Sequence, residues 1–413
     1  MKKLGFSFKE VSPLLFAIFV DILGFGMVYP VLTALFTDPS TSILPDHISN
    51  NLRFFYLSLG FLLYPLFMFF GSSFMGDLSD IWGRKKVLMI CMFGLALGFF
   101  AMGFGVTFSS LTLLLCARGF SGLMSACMPI AMASIADLST KQNKTVHMSY
   151  VTLIQALGFV IGPLFGGILS DKGVVDFFNF SLPFYLSSCL ALIAFIWIFL
   201  SYQETFIRNL ESKINFKRIY QLFVQIAKNP AVRLLSFSFL FMQMGIALYL
   251  QLILIYFQSH FNYSSAKMGA FNGFIGFWMA LGLLCIVPIL AKKYSAEKIA
   301  FWMLGLAGLS TLLSSIIPQQ IPLWLIVIPL AISTQIAFAT MLTSFSNSVS
   351  KDSQGWVMGI SGSVIALSFT ITGMSPSLVP FLGTKPLIFL GGLFLLLAAF
   401  LIGSYIRKHS KQH

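Results

Sequence analysis

Residues 76–86 read Gly-Asp-Leu-Ser-Asp-Ile-Trp-Gly-Arg-Lys-Lys and form the first dense cluster of charge in the chain. They separate two long apolar segments, 52–75 and 87–105. A hydrophobic hairpin closed by so short a charged turn must leave a lipid bilayer and re-enter it at once. We expect Gly76 and Gly83 to end the two helices close together, because glycine adopts left-handed backbone angles at little cost. The acids and bases of the turn are spaced to pair with one another and with the helix ends.

The whole chain has the composition of an all-α, polytopic membrane protein. Of its 413 residues, 57% are hydrophobic and 9% are charged, and the mean hydropathy is +0.89, whereas a soluble domain carries about 25% charged residues. Apolar segments of about 20 residues, each long enough to cross ~30 Å of hydrocarbon, recur without the alternation of barrel strands. We predict transmembrane helices at 13–36, 52–76, 86–105, 109–136, 148–170, 181–201, 231–259, 266–291, 298–317, 321–348, 355–380 and 386–406.

The net charge of +13 is unevenly distributed along the chain. Most of the 26 Lys and Arg residues fall in the termini and loops that the predicted helices place on one side. This asymmetry follows the positive-inside rule, so we expect both termini in the cytoplasm and a location in the bacterial inner membrane. The basic charge orients the chain in a bilayer, and we expect no nucleic-acid partner. Because the basic start leads into a full span, we expect no cleavable signal.

Asp21 is the only acid that lies well inside a predicted span. It stands in the segment 19–32, which reads Phe-Val-Asp-Ile-Leu-Gly-Phe-Gly-Met-Val-Tyr-Pro-Val-Leu. A carboxylate at membrane depth is costly and marks a functional site by default. Asp21 is therefore a candidate proton-carrying or cation-binding acid, and the alternative is a structural acid whose hydrogen bonds are satisfied.

Arg118 lies inside the fourth predicted span. Its guanidinium stays charged, so it needs an acid, carbonyl groups, water or an anionic substrate, or it braces the first helix through backbone oxygens. At ~1.5 Å of rise per residue, Asp21 and Arg118 differ in depth by roughly 10 Å. We therefore do not expect a direct ion pair between them, and we place Arg118 nearer the layer of Gly26 and Tyr29.

The fifth span carries glycines at every fourth position, at 158, 162 and 166. Such a smooth face permits close helix packing, and Pro163 interrupts the helical hydrogen bonding beside it. Gly167 extends the small-residue face. Gln155 stands one turn earlier and is a candidate to face a cavity.

The second half of the chain repeats the first in outline, since a shift of about half the length superposes similar segments. We predict an N-terminal bundle at 1–201, a basic interfacial linker at 202–230 and a C-terminal bundle at 231–413. The C-terminal half holds no acid inside its spans but offers neutral polar and aromatic groups. These suit a cavity for an amphipathic molecule, or they bond neighbouring helices. The candidates for substrate binding there are Gln243, Gln251, Asn272, Trp278 and Gln335.

Several of these motifs resemble those of the major facilitator superfamily. Residues 76–86 are similar to its loop between helices 2 and 3, G-x-L-a-D-r-x-G-r-k, although Ile81 replaces the usual basic residue. Asp21 and the glycines and proline after it resemble helix 1 of the tetracycline/proton antiporters. Arg118 and Gly122 resemble the helix-4 motif R-x-x-x-G, and residues 158–167 resemble the helix-5 motif of drug/proton antiporters. The resemblance implies twelve helices in two pseudo-symmetric six-helix bundles.

The resemblance also implies roles for two groups of residues. In the family the helix 2–3 loop and an acid ending helix 4 form a cytoplasmic gate that locks the inner side. Carried onto this sequence, the gate consists of Gly76, Asp77, Asp80, Gly83, Arg84 and Asp137. The helix-5 motif implies a hinge and proton seal where helices 5 and 8 meet, formed by Gly158, Gly162, Pro163, Gly166 and Gly167.

The function expected from residues and resemblance together is proton-coupled secondary transport. We expect a monomeric antiporter for multidrug efflux, with Asp21 as the proton-coupling residue and Asp21, Tyr29, Arg118 and Gln155 contributing to the substrate site. The alternative is a dedicated transporter of an organic anion, such as a carboxylate metabolite or siderophore, held by Arg118. We expect no enzyme activity, because no catalytic or metal-ligating cluster is present in the sequence, and no cofactor, because it lacks nucleotide-binding motifs. The expected partners are a small-molecule substrate, protons and the lipid bilayer.

Overall fold

The computed structural model describes residues 8–38, 43–45, 47–139, 144–204, 224, 226–349 and 354–409, and within these ranges it contains helices and no strand. The α-helices, numbered here in chain order, are α1 (Phe8–Thr37), α2 (Asn50–Trp82), α3 (Arg84–Thr107), α4 (Leu111–Met124), α5 (Cys127–Leu138), α6 (Lys144–Leu169), α7 (Leu182–Ser201), α8 (Pro230–Phe261), α9 (Ser265–Leu281), α10 (Val287–Leu290), α11 (Ala296–Ile316), α12 (Gln320–Asn347), α13 (Gln354–Gly373), α14 (Val379–Leu382) and α15 (Thr384–His409). A π-helical turn (Gly282–Ile286) joins α9 to α10, and a 3-10 turn (Ser375–Leu378) precedes α14.

The described part of the chain holds 12 helical segments long and apolar enough to cross a membrane. They coincide with the twelve predicted spans, so the predicted fold class is confirmed. The predicted second span is too short, because α2 continues to Trp82 and carries the charged residues beyond the apolar segment. The expectation that Gly76 ends this helix is therefore wrong.

The fourth span is not one continuous helix as predicted. It is divided into α4 and α5 by Ser125 and Ala126, whose backbone angles leave the helical range. Pro129 explains the break, because a proline has no N–H to donate to the carbonyl four residues earlier, and its ring clashes with that carbonyl. The carbonyl in question belongs to Ser125.

Local capping fixes several helix starts. The Asn229 side chain accepts hydrogen bonds from Ala231 N at 3.1 Å and Val232 N at 3.3 Å, and Pro230 occupies the first turn of α8. The Ser110 hydroxyl likewise accepts from Leu113 N at 3.4 Å at the start of α4. These side chains satisfy amide groups that have no partner within the helix.

The described residues belong to two compact units. The first comprises Met1–Leu35, Leu63–Phe216 and Ser265–Ala270. Within it α3 packs against α4, α5 and α7, and α6 packs against α5 and α7. The face of α3 that makes these contacts is apolar and fully buried, with residues recurring three and four positions apart, as expected for a packed helix; they are Leu88, Cys91, Leu95, Phe99 and Met102.

The second unit comprises Phe36–Leu62, Lys217–Ser264 and Phe271–His413. Within it α8 packs against α12, α13 and α15, while α11 packs against α12 and α15. The boundaries proposed from the sequence for the two bundles, at 201 and 231, stay a prediction. Most of the predicted linker, 202–230, lies outside the described residues.

Candidate functional site

Asp21 is buried in the first unit, with 5% of its surface exposed. Its Oδ1 accepts a hydrogen bond from the Ser125 hydroxyl at 2.8 Å and lies 3.1 Å from the Tyr64 hydroxyl, which can donate to it. The Tyr64 hydroxyl also lies 2.6 Å from Ser125 Oγ and can donate to that atom instead. Two hydroxyl groups from other spans therefore surround the carboxylate.

The break in the fourth span places Ser125 at this carboxylate. Ser125 ends α4, and its own amide donates to Gly122 O at 3.1 Å, while Ala126 N donates to Met124 O at 2.9 Å. These tight turns satisfy the amide groups of Ser125 and Ala126 where the helix unwinds. The Ser125 side-chain hydroxyl therefore need not bond to the backbone and donates to Asp21. Broken helices at membrane depth are tolerated only where protein or a cavity covers them.

Arg118 lies on the other side of Tyr64. Its guanidinium carbon stands over the Tyr64 ring at 4.5 Å from the ring centre, and only 2% of the residue is exposed. Tyr29 is close enough to Arg118 for an electrostatic interaction, and the Phe25 ring contacts both tyrosines, at 5.4 Å from Tyr29 and 5.5 Å from Tyr64. Tyr64 thus contacts both Asp21 and Arg118, and Tyr29 lies beside Phe25 and Arg118.

The geometry at Asp21 is suited to binding and releasing a proton. The three oxygen atoms of Asp21, Ser125 and Tyr64 are 2.6–3.1 Å apart, which is close enough for O–H···O hydrogen bonds. Hydrogen bonds therefore connect these three oxygen atoms. Within the described residues, no ion pair joins Asp21 to Arg118. The arrangement can accept or release one proton at a buried carboxylate beside a buried cation.

The glycine face of α6 packs directly on α1. A side chain at Gly158 would meet Ile22, one at Gly162 would meet the backbone of Leu23, and one at Gly166 would meet the backbone of Met27. These contacts hold the turns of α1 that follow Asp21 close to α6. The interaction of helix 5 implied by the resemblance was with helix 8, and the three spaced glycines contact helix 1 instead.

Pro163 and Gly167 extend the packing of α6 to two partners. A side chain at Gly26 would meet the Pro163 ring at 2.9 Å, so α1 approaches the proline itself. Gly167 lies against Gly269 in α9, where a side chain would come within 2.8 Å of its Cα. The predicted contact between the helix-5 motif and the eighth span therefore exists at its last glycine, and the hinge role stays a prediction.

The turn between α2 and α3 consists of one residue, Gly83, which has a left-handed φ of 95°. A side chain at this position would come within 3.1 Å of the Glu204 carboxyl carbon. Glu204 accepts a hydrogen bond from Lys85 N at 2.9 Å and so caps the start of α3. The Lys85 ammonium donates to Phe199 O at 2.8 Å, which ties the turn to the end of α7.

Arg84 forms a salt bridge with Asp137 at the end of α5. The Arg84 side chain is 11% exposed and that of Asp137 is 36% exposed. Asp77 is buried and Asp80 is half-buried on the last two turns of α2. The structure thus joins the charged turn to the fourth span through one pair of the predicted cytoplasmic gate.

Reversing the charge of Arg84 tests this ion pair. Arg84→Asp should lower the thermal denaturation midpoint of the detergent-solubilised protein, because it places a carboxylate against Asp137. The expected loss is on the order of 1 kcal/mol, since partly exposed pairs contribute little. The double variant Arg84→Asp with Asp137→Arg should recover part of the loss, whereas equal midpoints for the single and double variants would show that the pair does not contribute.

The other predicted substrate-binding residues belong to α6 and to the second unit. Gln155 is half-buried, and its side-chain nitrogen lies 3.0 Å from Met128 Sδ, so it faces α5. In the second unit Gln251 is fully buried and accepts from the Ser375 hydroxyl at 3.3 Å. Among these predicted residues, three have a buried polar atom that lacks a hydrogen-bond partner among the described residues; the atoms are Gln251 Nε2, Asn272 Oδ1 and Trp278 Nε1. Gln243 is buried and Gln335 is half-buried.

The sequence did not single out three residues that the structure places at these sites. Ser125 is one of many serines, and Pro129 is the signal that could have marked it. Tyr64 is a tyrosine in the middle of an apolar span, where its hydroxyl must find a partner. Glu204 stands in Tyr-Gln-Glu-Thr at the end of the sixth span, and no spacing in the sequence connects it to Gly83.

Comparison with known proteins supplies the family. The sequence model of the Major Facilitator Superfamily matches residues 14–373. The tetracycline resistance protein of class H from Pasteurella multocida is 27% identical over 163 residues, which cover 40% of this chain and 38% of the relative. The quinolone resistance protein NorA from Staphylococcus aureus is 30% identical over 188 residues, covering 46% of this chain and 44% of the relative. These alignments thus span less than half the length of either relative.

Solved structures share the fold of the chain along its whole length. The crystal structure of the human organic anion transporter MFSD10 superposes with a TM-score of 0.72, at 19% identity, and covers 95% of this chain and 99% of that protein. At this identity the likeness establishes the fold alone.

Proposed function

Because this chain belongs to the Major Facilitator Superfamily of transporters, we propose that it is a proton-coupled exporter of drugs or other amphipathic small molecules. The coupling proton binds Asp21, and the substrate crosses by alternating access of two bundles. Transport then takes place in the bacterial inner membrane, with both termini in the cytoplasm. The energy comes from the proton gradient, without a cofactor.

The observation that carries this proposal is the environment of Asp21. The carboxylate is buried and contacts two hydroxyl groups at hydrogen-bond distances. It has no neighbouring set of acidic or histidine ligands for a metal ion among the described residues. A buried carboxylate changes its proton affinity whenever its hydration or its hydrogen-bond donors change. Rearrangement of the surrounding helices would therefore load or release the proton.

The driving force of such a cycle is limited. One elementary charge that crosses the membrane potential supplies about 2.3 kcal/mol per 100 mV. This energy supports a concentration gradient of roughly fiftyfold for a neutral substrate exchanged against one proton. A gradient of this size is sufficient to keep the internal concentration of a toxic compound well below the external concentration.

The substrate class rests on the relatives. The sequence matches proteins named for resistance to tetracycline and to quinolones, over less than half of their lengths. The neutral polar and aromatic residues of the second unit are consistent with an amphipathic substrate, since Asn272 and Trp278 hold buried polar atoms without partners among the described residues. Such groups would bond a substrate of variable shape by hydrogen bonds and apolar contact.

One observation favours the second candidate function, transport of an organic anion. Arg118 is buried with its guanidinium over the Tyr64 ring. A substrate carboxylate would be held well by a guanidinium in such a place. In this case transport would depend on a carboxylate in the substrate.

Proteoliposomes that contain the purified protein test both candidates. Under an imposed pH gradient we expect tetracycline, a quinolone or ethidium to accumulate, and an equal sodium gradient should drive no transport. Citrate serves as the anionic probe. Transport of citrate alone, lost in Arg118→Ala, would establish the organic-anion candidate. Transport driven only by sodium would contradict proton coupling.

A further inference from the structure

Two buried charges in the first unit contact opposite parts of one side chain. Asp21 on α1 meets the hydroxyl of Tyr64 on α2, and Arg118 on α4 meets the face of the Tyr64 ring. Both ionic residues are almost fully buried, at 5% and 2% exposure, and Tyr64 is 1% exposed. Tyr64 is therefore in contact with both charges, in a place where water screens little.

The hydroxyl end of Tyr64 responds to the charge of Asp21. A phenol has one hydrogen to donate, and the acceptors nearby are Ser125 Oγ at 2.6 Å and Asp21 Oδ1 at 3.1 Å. While Asp21 is ionised, both hydroxyl hydrogens point toward the carboxylate, either directly or through Ser125. Once Asp21 is protonated, Oδ1 either carries the proton, so that the chain of hydroxyls reverses, or remains as a neutral and weaker acceptor. Tyr64 then loses the charged acceptor for its hydrogen.

The ring end of Tyr64 responds to Arg118. A cation 4.5 Å from the ring centre is attracted to the π-electrons. It also withdraws electron density from the ring and so makes the phenolic O–H a stronger donor. Hydrogen bonds in such a chain polarise one another. An Arg118 that moves away or binds an anion would therefore weaken the hydrogen bonds that stabilise ionised Asp21.

We propose that Tyr64 is a positioning residue that couples the two charges, so that the state of Arg118 sets the readiness of Asp21 to take up a proton. The inference rests on the proposed proton coupling and adds a route by which a change at Arg118 reaches the proton site. Because coupling is reciprocal, protonation of Asp21 also loosens the hold of the Tyr64 ring on Arg118.

Among the groups described around Asp21, Tyr64 is the one that also contacts Arg118. Ser125 contacts the carboxylate but is uncharged. Cys127 on α5 lies within electrostatic reach of Asp21, and its sulfur is close to that of Cys91 on α3. On α6 this part of α1 packs against Gly158 and Gly162, which do not titrate.

Infrared titration of the purified protein tests the proposal without a substrate. The band of a protonated carboxylic acid that disappears in Asp21→Asn reports the protonation of Asp21 against pH. Tyr64→Phe keeps the ring under Arg118 and removes one donor, so ionised Asp21 loses stabilisation. The midpoint should rise by about one pH unit, the size expected for a hydrogen bond to an ionised group. Tyr185→Phe, which removes a hydroxyl 3.0 Å from Thr107, is the matched control and should leave the midpoint unchanged.

A double-mutant cycle then tests transmission through Tyr64. Arg118→Gln should raise the midpoint in the wild-type background and should have at most half that effect in the Tyr64→Phe background. Additive shifts would overturn the proposal, because Arg118 would then act on Asp21 through space. An unchanged midpoint in Tyr64→Phe would also overturn the proposal. This measurement does not depend on an Arg118 variant, so it remains decisive if Arg118→Gln does not fold. If the shifts occur but a pH gradient drives no transport, the proposed function fails while the coupling stands.

Discussion

Asp21→Asn should abolish accumulation of substrate against a gradient. Asparagine keeps a carbonyl oxygen that can accept from Ser125 or Tyr64, so the packing around it is expected to persist. It cannot take up a proton. For a neutral substrate exchanged against one proton, the wild-type protein should reach roughly fiftyfold accumulation at a potential of about 100 mV, and the variant should only equilibrate substrate across the membrane. Transport of tetracycline or ethidium into energised proteoliposomes measures the difference.

The matched control for this variant is Asp176→Asn. Asp176 is exposed after α6, and the same loss of a carboxylate there should leave accumulation unchanged. Exchange of labelled for unlabelled substrate across the membrane, which needs no proton, should continue in Asp21→Asn. Full accumulation in Asp21→Asn would remove Asp21 from the mechanism.

Gly166→Ala should strongly destabilise the first unit. An added Cβ would lie 2.7 Å from Met27 Cα and 3.0 Å from its carbonyl carbon, and backbone atoms cannot rotate out of the way as a flexible side chain would. Helices α1 and α6 would have to separate, which typically costs about 1–3 kcal/mol in a packed interior. Since α1 carries Asp21, transport should fall together with the thermal denaturation midpoint.

Gly305→Ala in α11 provides the control for this packing argument. A Cβ at Gly305 would meet no atom within 4 Å, so the same change should be neutral or slightly stabilising through the better helix propensity of alanine. If Gly166→Ala and Gly305→Ala had equal midpoints and transport, close packing of α6 on α1 would not be what the protein requires at Gly166.

The transmembrane helices were predictable because one physical quantity determines them. A helix must bury its backbone hydrogen bonds and present apolar side chains over the full thickness of the bilayer, and apolar segments of that length stand out in the sequence. Their ends were less predictable. The charged residues before Gly83 look like a loop by hydropathy, yet they continue α2 to Trp82, because a helix can extend into water when its backbone is satisfied.

The break in the fourth span shows what hydropathy alone misses. Apolar residues surround Ser125 on both sides, and the segment is a plausible continuous helix by composition. The interruption comes from Pro129, whose effect falls on the residue four positions earlier rather than on the proline itself. The break could have been located by finding the carbonyl group, four residues before the proline, that is left without a hydrogen-bond donor.

Only the two charged residues of the candidate site could be predicted from the sequence. Asp21 and Arg118 stand out because a charge inside a span is rare and costly. That they meet at Tyr64 depends on how α1, α2 and α4 pack, and no spacing within one helix contains this information. The same holds for Glu204, which caps α3 from more than a hundred residues away in sequence.

The most direct test of the account is proton release on substrate binding, measured with a pH-sensitive dye in a weakly buffered solution of the purified protein. Addition of tetracycline or ethidium to the wild-type protein should release protons, because the substrate displaces the proton held by Asp21. The same addition to Asp21→Asn should release none. Equal proton release from both proteins, or proton release by neither while both bind the drug, would contradict the assignment of Asp21 as the proton-coupling residue.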